Sequence, residues 1–478
     1  MSNSMTRRQF VRRSAAAAAA IGLPMFLGSR AWGANEEIRI ALVGCGVRSD
    51  FHLKSFGKQA GVRLAAVCDP DRERMQAAAK TIETRFGYKP EQVVDVRRLM
   101  ERKDFDVVSI ATMQYWHALP TIWACQTGRH VYVEKPLAHS IWEGRQMVNA
   151  ARKYDRLVQV GMQGRSEENV RLGIEYIKSG QLGKIQYVVC FANKARTSIG
   201  KRSEPLPIPE TLDYDLWCGP ARKEPIYRDK IQYDCSFTWN MGDGESCNQG
   251  VHEIDCARRL LGETGLPRRA MSIGGRFTFN DAGDVPNTQI IYYDYPSAPV
   301  LYEVHNLRAG KNTQKMPSYR GTEVDACAQC EGGYVMLRGG EVMDNQGKKI
   351  KQFGGGGNHF ENFIRAVRSG KREDLHADVL EGHLSTGVCH AGNISYRLGK
   401  KASPEEARKQ IGDLPLFRKM FDDYLEHLKA HEIDPGESIL GPWLTYDSEH
   451  ESVKDNAEAN RLVKGTFREG YAVPAVEI

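Results

Sequence analysis

The chain has 478 residues, 41% apolar and 26% charged, which is enough for two domains with separate cores. Its net charge is +6, but the first 33 residues hold Arg7, Arg8, Arg12, Arg13 and Arg30 and no acid, so +6 less five leaves +1 for the rest. A near-neutral body gives no electrostatic reason to expect nucleic acid or an anionic membrane as partner.

Residues 1–33 read as a targeting signal. The run from Ala15 to Leu27 is apolar but too short to span a bilayer, which takes about 20 residues. Ala31-Trp32-Gly33 offers small residues where a signal peptidase reads. The flank Thr6-Arg7-Arg8-Gln9-Phe10-Val11-Arg12 resembles the twin-arginine export motif, the competing reading being an ordinary signal peptide. No cysteine lies near the cleavage point, so no stable membrane anchor is expected. The expectation is a periplasmic or otherwise exported protein that meets the twin-arginine machinery.

Residues 36–162 alternate short Val/Ile-rich runs with amphipathic stretches. The runs are Ile38–Val43, Val62–Cys68, Phe105–Ala111, His130–Val133 and Leu157–Val160. This alternation predicts a parallel sheet covered on both faces, a doubly wound α/β domain. Residues 163–435 change texture. Strand-like runs at Ile185–Ala192, Thr288–Tyr295 and Val300–His305, a Pro-rich loop from Glu204 to Pro225 and many Gly turns predict a largely antiparallel sheet. Helical patterns follow at Phe360–Ser369, Ala377–Leu398 and Leu416–His427. Residues 436–478 read as a polar, irregular arm. Of the eleven cysteines, Cys45, Cys68 and Cys190 sit in or beside apolar runs and behave as small hydrophobes. Cys327 and Cys330 are close enough in sequence for a disulfide in an oxidising compartment, and we read the pair as structural or idle. No four-ligand metal cage is visible, His383 and His390 included, so no metal is expected.

The segment Val43-Gly44-Cys45-Gly46-Val47-Arg48-Ser49 runs from strand to turn to helix. Gly44 permits the tight turn, Gly46 admits a pyrophosphate, and Ser49 is small enough for helix–strand packing. The phosphates would rest on the helix N-terminus. Asp69, at the end of the next strand, suits the two ribose hydroxyls of NAD and would repel a 2′-phosphate. Arg72 lies near it, which leaves NADP open. Further on, Glu134-Lys135-Pro136 places a lysine beyond a parallel strand, where ligands of such sheets bind. A cation there stabilises a developing alkoxide.

Several stretches together resemble the glucose–fructose oxidoreductase, inositol dehydrogenase and MocA (Gfo/Idh/MocA) family. They are Val43–Ser49 with His52, Asp106–Thr112 with His117, Gly128–Leu137, Gly161–Arg165 and Gly250–Asp255. The resemblance implies a Rossmann domain followed by an α/β domain whose open-faced sheet commonly serves oligomerisation, as a dimer or tetramer. It implies NAD contacts at Gly44, Gly46, Val47, Arg48, Asp69, Ala111, Thr112, His117, Glu134, Lys135 and Gln163. It also implies a sugar or polyol substrate, with His252 as general base and Lys135 on the reacting oxygen. The family pairs an Asp with this histidine, whereas this chain has Asn248. Asn248 and His252 stand at i and i+4, so a continuous helix would put them on one face, with the amide orienting the ring. Arg165, Lys194 and Trp239 are further substrate-contact candidates.

These readings combine into an exported oxidoreductase that moves a hydride between a tightly held nicotinamide and a sugar, glycoside or polyol. Twin-arginine export carries folded proteins, which would let the cofactor cross already bound. Two alternatives stay open: a redox-neutral NAD-dependent glycoside hydrolase or lyase, and an inactive ligand-binding protein on the same scaffold.

Overall fold

The computed structural model describes residues 37–478, so the export signal lies outside the described residues. β1 (Ile38–Val43), β2 (Val62–Cys68), β3 (Glu91–Val93), β4 (Val107–Ile110), β5 (His130–Val133) and β6 (Val158–Val160) form a parallel sheet in the order β3-β2-β1-β4-β5-β6. In β1 the side chains of Ile38, Ile40 and Leu42 enter one core cluster and Ala41 and Val43 another. Both faces are buried, which is why the run is apolar without alternation. The strand order reverses between β1 and β4, so the ligand crevice lies beyond the carboxyl ends of these two strands.

One face of this sheet is completed from late in the chain. The helix His359–Ser369 packs beside the helix Val47–Phe56. Phe360 stacks on Tyr132 of β5 with centroids 4.7 Å apart, and Phe363 meets Phe56.

The second sheet comprises β7 (Ile185–Ala192), β8 (Arg269–Gly275), β9 (Thr288–Asp294), β10 (Val300–His305), β11 (Val324–Cys330), β12 (Gly333–Met336), β13 (Glu341–Asp344), β14 (Lys349–Gln352), β15 (Lys400–Lys401), β16 (Ile439–Leu440), β17 (Leu444–Asp447) and β18 (Ser452–Val453). β7 and β10 pair in parallel, and the other pairings are antiparallel. Val188, Cys190 and Ala192 of β7 face the large core shared with the helices Gly250–Leu261 and Val379–Arg397. The opposite face of the sheet is not bare. Phe191, Tyr292 and Met271 pack there against Phe417, Phe421 and Tyr424 of the helix Pro415–Ala430. Cys327 belongs to that outer cluster and Cys330 to the inner core. Three positions apart on one strand, they point to opposite faces, and both are free thiols.

The C-terminal segment is ordered rather than irregular. β16 and β17 extend the second sheet beside β8, and the helix Ala457–Lys464 follows. Val476 donates its N–H to Gln146 at 2.7 Å and accepts from Asn149 at 2.8 Å. The segment thus returns to its own Rossmann domain. No helix among the described residues is long and apolar enough to cross a membrane.

Candidate active site

A cavity of about 710 Å³ opens beyond the carboxyl ends of β1, β4 and β5, a size typical of small-molecule sites. Gly44, Gly46, Val47, Arg48, Asp69, Ala111, Thr112, His117, Glu134, Lys135 and Asn248 all line it. Gly44 has φ +86°, and a Cβ there would stand 2.9 Å from the backbone of Ala111, so only glycine fits the turn. Gly46 differs. A Cβ on it would meet nothing nearer than Arg74 Nη1 at 3.9 Å, so its surface is left clear on the cavity side. Gly46 is also the N-cap of the helix Val47–Phe56 and provides no side-chain cap. The first-turn N–H groups of that helix are therefore available to an anion.

Asp69 is buried at the far end. Its carboxylate accepts from the Cys45 N–H at 2.6 Å and the Asp71 N–H at 2.8 Å, which leaves a second lone pair on each oxygen for ribose hydroxyls. Burial raises its pKa, and those two N–H groups oppose the rise. The arginine on this wall is Arg74, not Arg72. Glycine cradle, open helix end and ribose acceptor together fit a nicotinamide dinucleotide.

Glu134 is the hub beneath the other end. It accepts from His52 Nε2 at 2.9 Å, Arg48 Nε at 2.7 Å and the Lys135 N–H at 3.2 Å. A carboxylate can only accept here, so His52 carries its proton on Nε2 and takes the Ser109 hydroxyl on Nδ1 at 2.8 Å. Burial opposes ionisation of Glu134, but the His52 hydrogen bond and the Arg48 charge outweigh it and hold the acid well below the carboxylate range. His52 itself is kept neutral by burial. The His117 ring sits between the carbonyls of Thr112, at 3.1 Å, and Pro136, at 2.9 Å. It ties the cofactor edge to the Lys135 turn.

Lys135 Nζ donates to the Asn248 carbonyl oxygen at 2.5 Å and to Asn248 Oδ1 at 3.2 Å. Burial pulls the ammonium below the usual lysine range, while Glu134 and Glu245 pull it back. This grip corrects the expectation for Asn248 and His252. They do not share one helix, because the chain forms a helix Gly244–Asn248, breaks at Gln249, and restarts as Gly250–Leu261. The Asn248 carbonyl, which would continue the helix, is turned to Lys135, and the His252 N–H donates instead to Gln249 O at 3.0 Å. The Asn248 amide donates to Glu245 Oε1 at 3.3 Å, and no hydrogen bond joins it to His252 among the described residues. His252 is half-buried in the first turn of the restarted helix. Burial, then the Lys135 and Arg338 charges, hold its pKa well below the ordinary histidine value.

His252 and the remaining candidates lie off the cavity wall. Arg165 is locked to Asp255 at 2.9 Å and Glu381 at 2.8 Å. Gln163 donates to the Tyr132 hydroxyl at 3.3 Å. Lys194 Nζ donates to Gln249 Oε1 at 2.5 Å, one residue beyond the Lys135 partner. Trp239 packs between Tyr396 and the Arg397 guanidinium.

The sequence reading missed a strap. The Pro-rich segment after β7 crosses back over the Rossmann edge: Arg72 N–H donates to Thr211 O at 3.0 Å and Asp213 N–H to Pro70 O at 3.0 Å. Trp217 and, further on, Tyr233 join Tyr115 and Trp116 on the cavity wall. The Tyr115 hydroxyl donates to Trp217 O at 2.8 Å. The strap is pinned in turn by Arg468, which donates to Gly219 O at 2.8 Å and pairs with Asp215 at 2.7 Å. The four aromatic residues were the available signal, but nothing in a loop sequence says which surface it will cover.

Fold and cavity define a two-domain dehydrogenase-type protein with an NAD-binding Rossmann half. The comparisons with known proteins agree. Residues 38–162 match the family model "Oxidoreductase family, NAD-binding Rossmann fold" and residues 179–423 match "Oxidoreductase family, C-terminal alpha/beta domain". The chain belongs to the Gfo/Idh/MocA oxidoreductase family. A glycosyl hydrolase family 109 protein from Shewanella pealeana is 32% identical over 122 residues, 25% of this chain and 27% of that protein. An alpha-N-acetylgalactosaminidase from Shewanella oneidensis is 32% identical over the same length and the same shares. The chain thus spans about a quarter of the length of these curated relatives. Among solved structures, the WlbA dehydrogenase from Bordetella pertussis, crystallised with NADH and UDP-GlcNAcA, has a TM-score of 0.54 at 20% identity, over 74% of this chain and 95% of that one. At that identity the likeness is one of fold.

Proposed function

We propose that this chain is an exported NAD-dependent oxidoreductase that acts on a hydroxyl of a sugar, glycoside or polyol with a tightly held cofactor. The observation that carries the reading is one cavity with the glycine cradle and Asp69 at one end and Lys135, gripped by Asn248, at the other. Bound NAD supplies the hydride acceptor. Lys135 Nζ polarises the substrate oxygen and stabilises the charge that grows there as its proton leaves. The His252 ring, kept neutral by burial and the neighbouring cations, takes that proton at an imidazole nitrogen. The strap walls with Tyr115, Trp116 and Trp217 exclude water and slow cofactor loss.

Mass spectrometry of the small molecules released on denaturing the mature protein tests the cofactor. Near-stoichiometric NAD or NADH is the expected result, and an empty protein that also ignores added NAD refutes the reading. Lys135→Met should lower turnover by about a hundredfold with the cofactor still bound.

The glycosyl hydrolase relatives favour a second reading, in which oxidation is transient and a glycosidic bond is cleaved without net redox change. Release of nitrophenol from a nitrophenyl glycoside with no added electron acceptor would select it. Reduction of one sugar coupled to oxidation of another selects the first reading.

A further inference from the structure

Behind the Lys135 turn, off the cavity, three side chains from two distant parts of the chain converge. Asp243 precedes the helix Gly244–Asn248, Cys247 lies within it, and His390 comes from the helix Val379–Arg397. One carboxylate oxygen, the thiol sulfur and one ring nitrogen all lie within 4.8 Å of one another. Their residues are 3%, 0% and 5% exposed.

The hydrogen bonds around them fix which atoms are free. His390 Nε2 lies 3.0 Å from the Ala138 carbonyl oxygen, which can only accept, so the ring proton is on Nε2. Nδ1 then faces Asp243 Oδ1 at 3.9 Å, too far for a hydrogen bond in either protonation state. A backbone carbonyl on the far nitrogen is the usual way a metal-binding histidine is oriented. Asp243 Oδ2 is occupied separately, by His139 Nδ1 at 3.0 Å and Gln114 Nε2 at 3.2 Å. Oδ1 is left pointing at the group. Asn393 steadies the third member, with its amide 3.6 Å from Cys247 Sγ and 2.9 Å from the Asp243 carbonyl. Two electron-rich atoms and a thiol thus converge in a buried gap, and no hydrogen bond joins any two of these side chains among the described residues.

We propose that Asp243, Cys247 and His390 form a structural site for a borderline divalent cation of the Zn²⁺ class. Metal bonds of about 2.0–2.3 Å set tetrahedral edges of about 3.3–3.8 Å, so the ligands need close by no more than about 1.5 Å. A mixed O, S and N donor set favours Zn²⁺ over Mg²⁺ or Ca²⁺. Cys389 neighbours the Cys247 thiol, but its own thiol donates to the Ser385 carbonyl at 3.4 Å, so the protein supplies three ligands. The cation would join three segments: the turn 136–139, held through Ala138 and His139; the helix whose last residue grips Lys135; and the helix Val379–Arg397. Its work is to hold Asn248, and through it Lys135, in place. It takes no part in hydride transfer.

The test is metal analysis of the full purified chain, followed by cobalt substitution. About one equivalent of Zn²⁺ per chain is expected, and the cobalt form should show a thiolate-to-metal absorption band in the near ultraviolet. Cys247→Ser and His390→Gln should each weaken metal binding at least about tenfold and remove or shift that band, while Cys327→Ser leaves both intact. Wild-type protein that retains less than about a tenth of an equivalent after exposure to Zn²⁺ or Co²⁺ and gel filtration overturns the proposal. So does a cobalt form without the thiolate band, or metal content unchanged in the two variants. The wild-type cobalt spectrum decides even if the variants fail to fold.

Discussion

The Glu134 hub gives the most quantitative test. Glu134→Gln keeps the shape but removes the charge from a residue that is 3% exposed. The carboxylate accepts from three donors, those of His52, Arg48 and Lys135. Arg48 and His52 share Oε1 and the Lys135 N–H takes Oε2, so an amide NH₂ meets either the first two or the third, and at least one bond is lost with donors opposed. The Arg48 side chain is 39% exposed, so solvent limits its pair to at most about 1 kcal/mol. The buried, charge-assisted His52 bond contributes about 1.5–3 kcal/mol. The sum is a loss of roughly 2–4 kcal/mol, or a fall in the unfolding midpoint of roughly 2–5 °C for a chain of this length. The pH dependence has a definite sign. Glu134 has a lower pKa in the folded state than in the unfolded chain. Its contribution is therefore fully present above about pH 4.3 and is lost as pH falls through the folded value. Thermal unfolding of both proteins from pH 7 down to pH 3 should show the widest gap near neutrality and a narrowing gap below about pH 4. A gap under about 1 kcal/mol at pH 7, or one that does not change with pH, would refute an ionised, charge-assisted hub.

Other outcomes follow from the same geometry. Gly44→Ala should destabilise the fold by about 1–3 kcal/mol, because its φ is +86° and the new methyl meets Ala111. Gly46→Ala should leave the unfolding midpoint unchanged yet lower NAD content at least about tenfold, read by cofactor release, because its methyl enters the phosphate cradle. Arg165→Ala should cost about 3–5 kcal/mol by leaving Asp255 buried and unpaired. Its KM should stay unchanged, and a raised KM at full stability would return Arg165 to the substrate. Arg468→Ala should speed NAD release about fivefold, the worth of one partly exposed pair. Stopped-flow exchange against labelled NAD measures it.

What could be read from the sequence was local. A strand, a glycine turn, a helix and an acid at the next strand end all fall within about 30 residues, and their spacing alone carries the chemistry. Lys135 was legible for the same reason. The helix His359–Ser369 was legible as a helix but not as part of the Rossmann core, since an amphipathic pattern names a buried face without naming its partner. Asn248 failed in a more instructive way. Spacing of i and i+4 predicts a shared face only if the helix continues, and here a lysine 113 positions earlier claims the carbonyl that continuation needs. The Asp243, Cys247 and His390 group was hidden because His390 comes from a helix about 140 residues after the other two.

Retention of the cofactor, on the function proposed above, depends on the end of the chain. The cavity is walled by Trp217 on the strap, the strap is held by Arg468, and the last residues dock on Gln146 and Asn149 of the Rossmann domain. Each of these contacts forms only when the C-terminal segment has been made and has folded back. A dinucleotide bound earlier would face an open edge, and one bound before the last step is enclosed by it. Folding and loading are thereby coupled. A protein exported folded would leave with its nicotinamide already under the strap, and one exported unfolded would have to find a dinucleotide where the export reading supplies none.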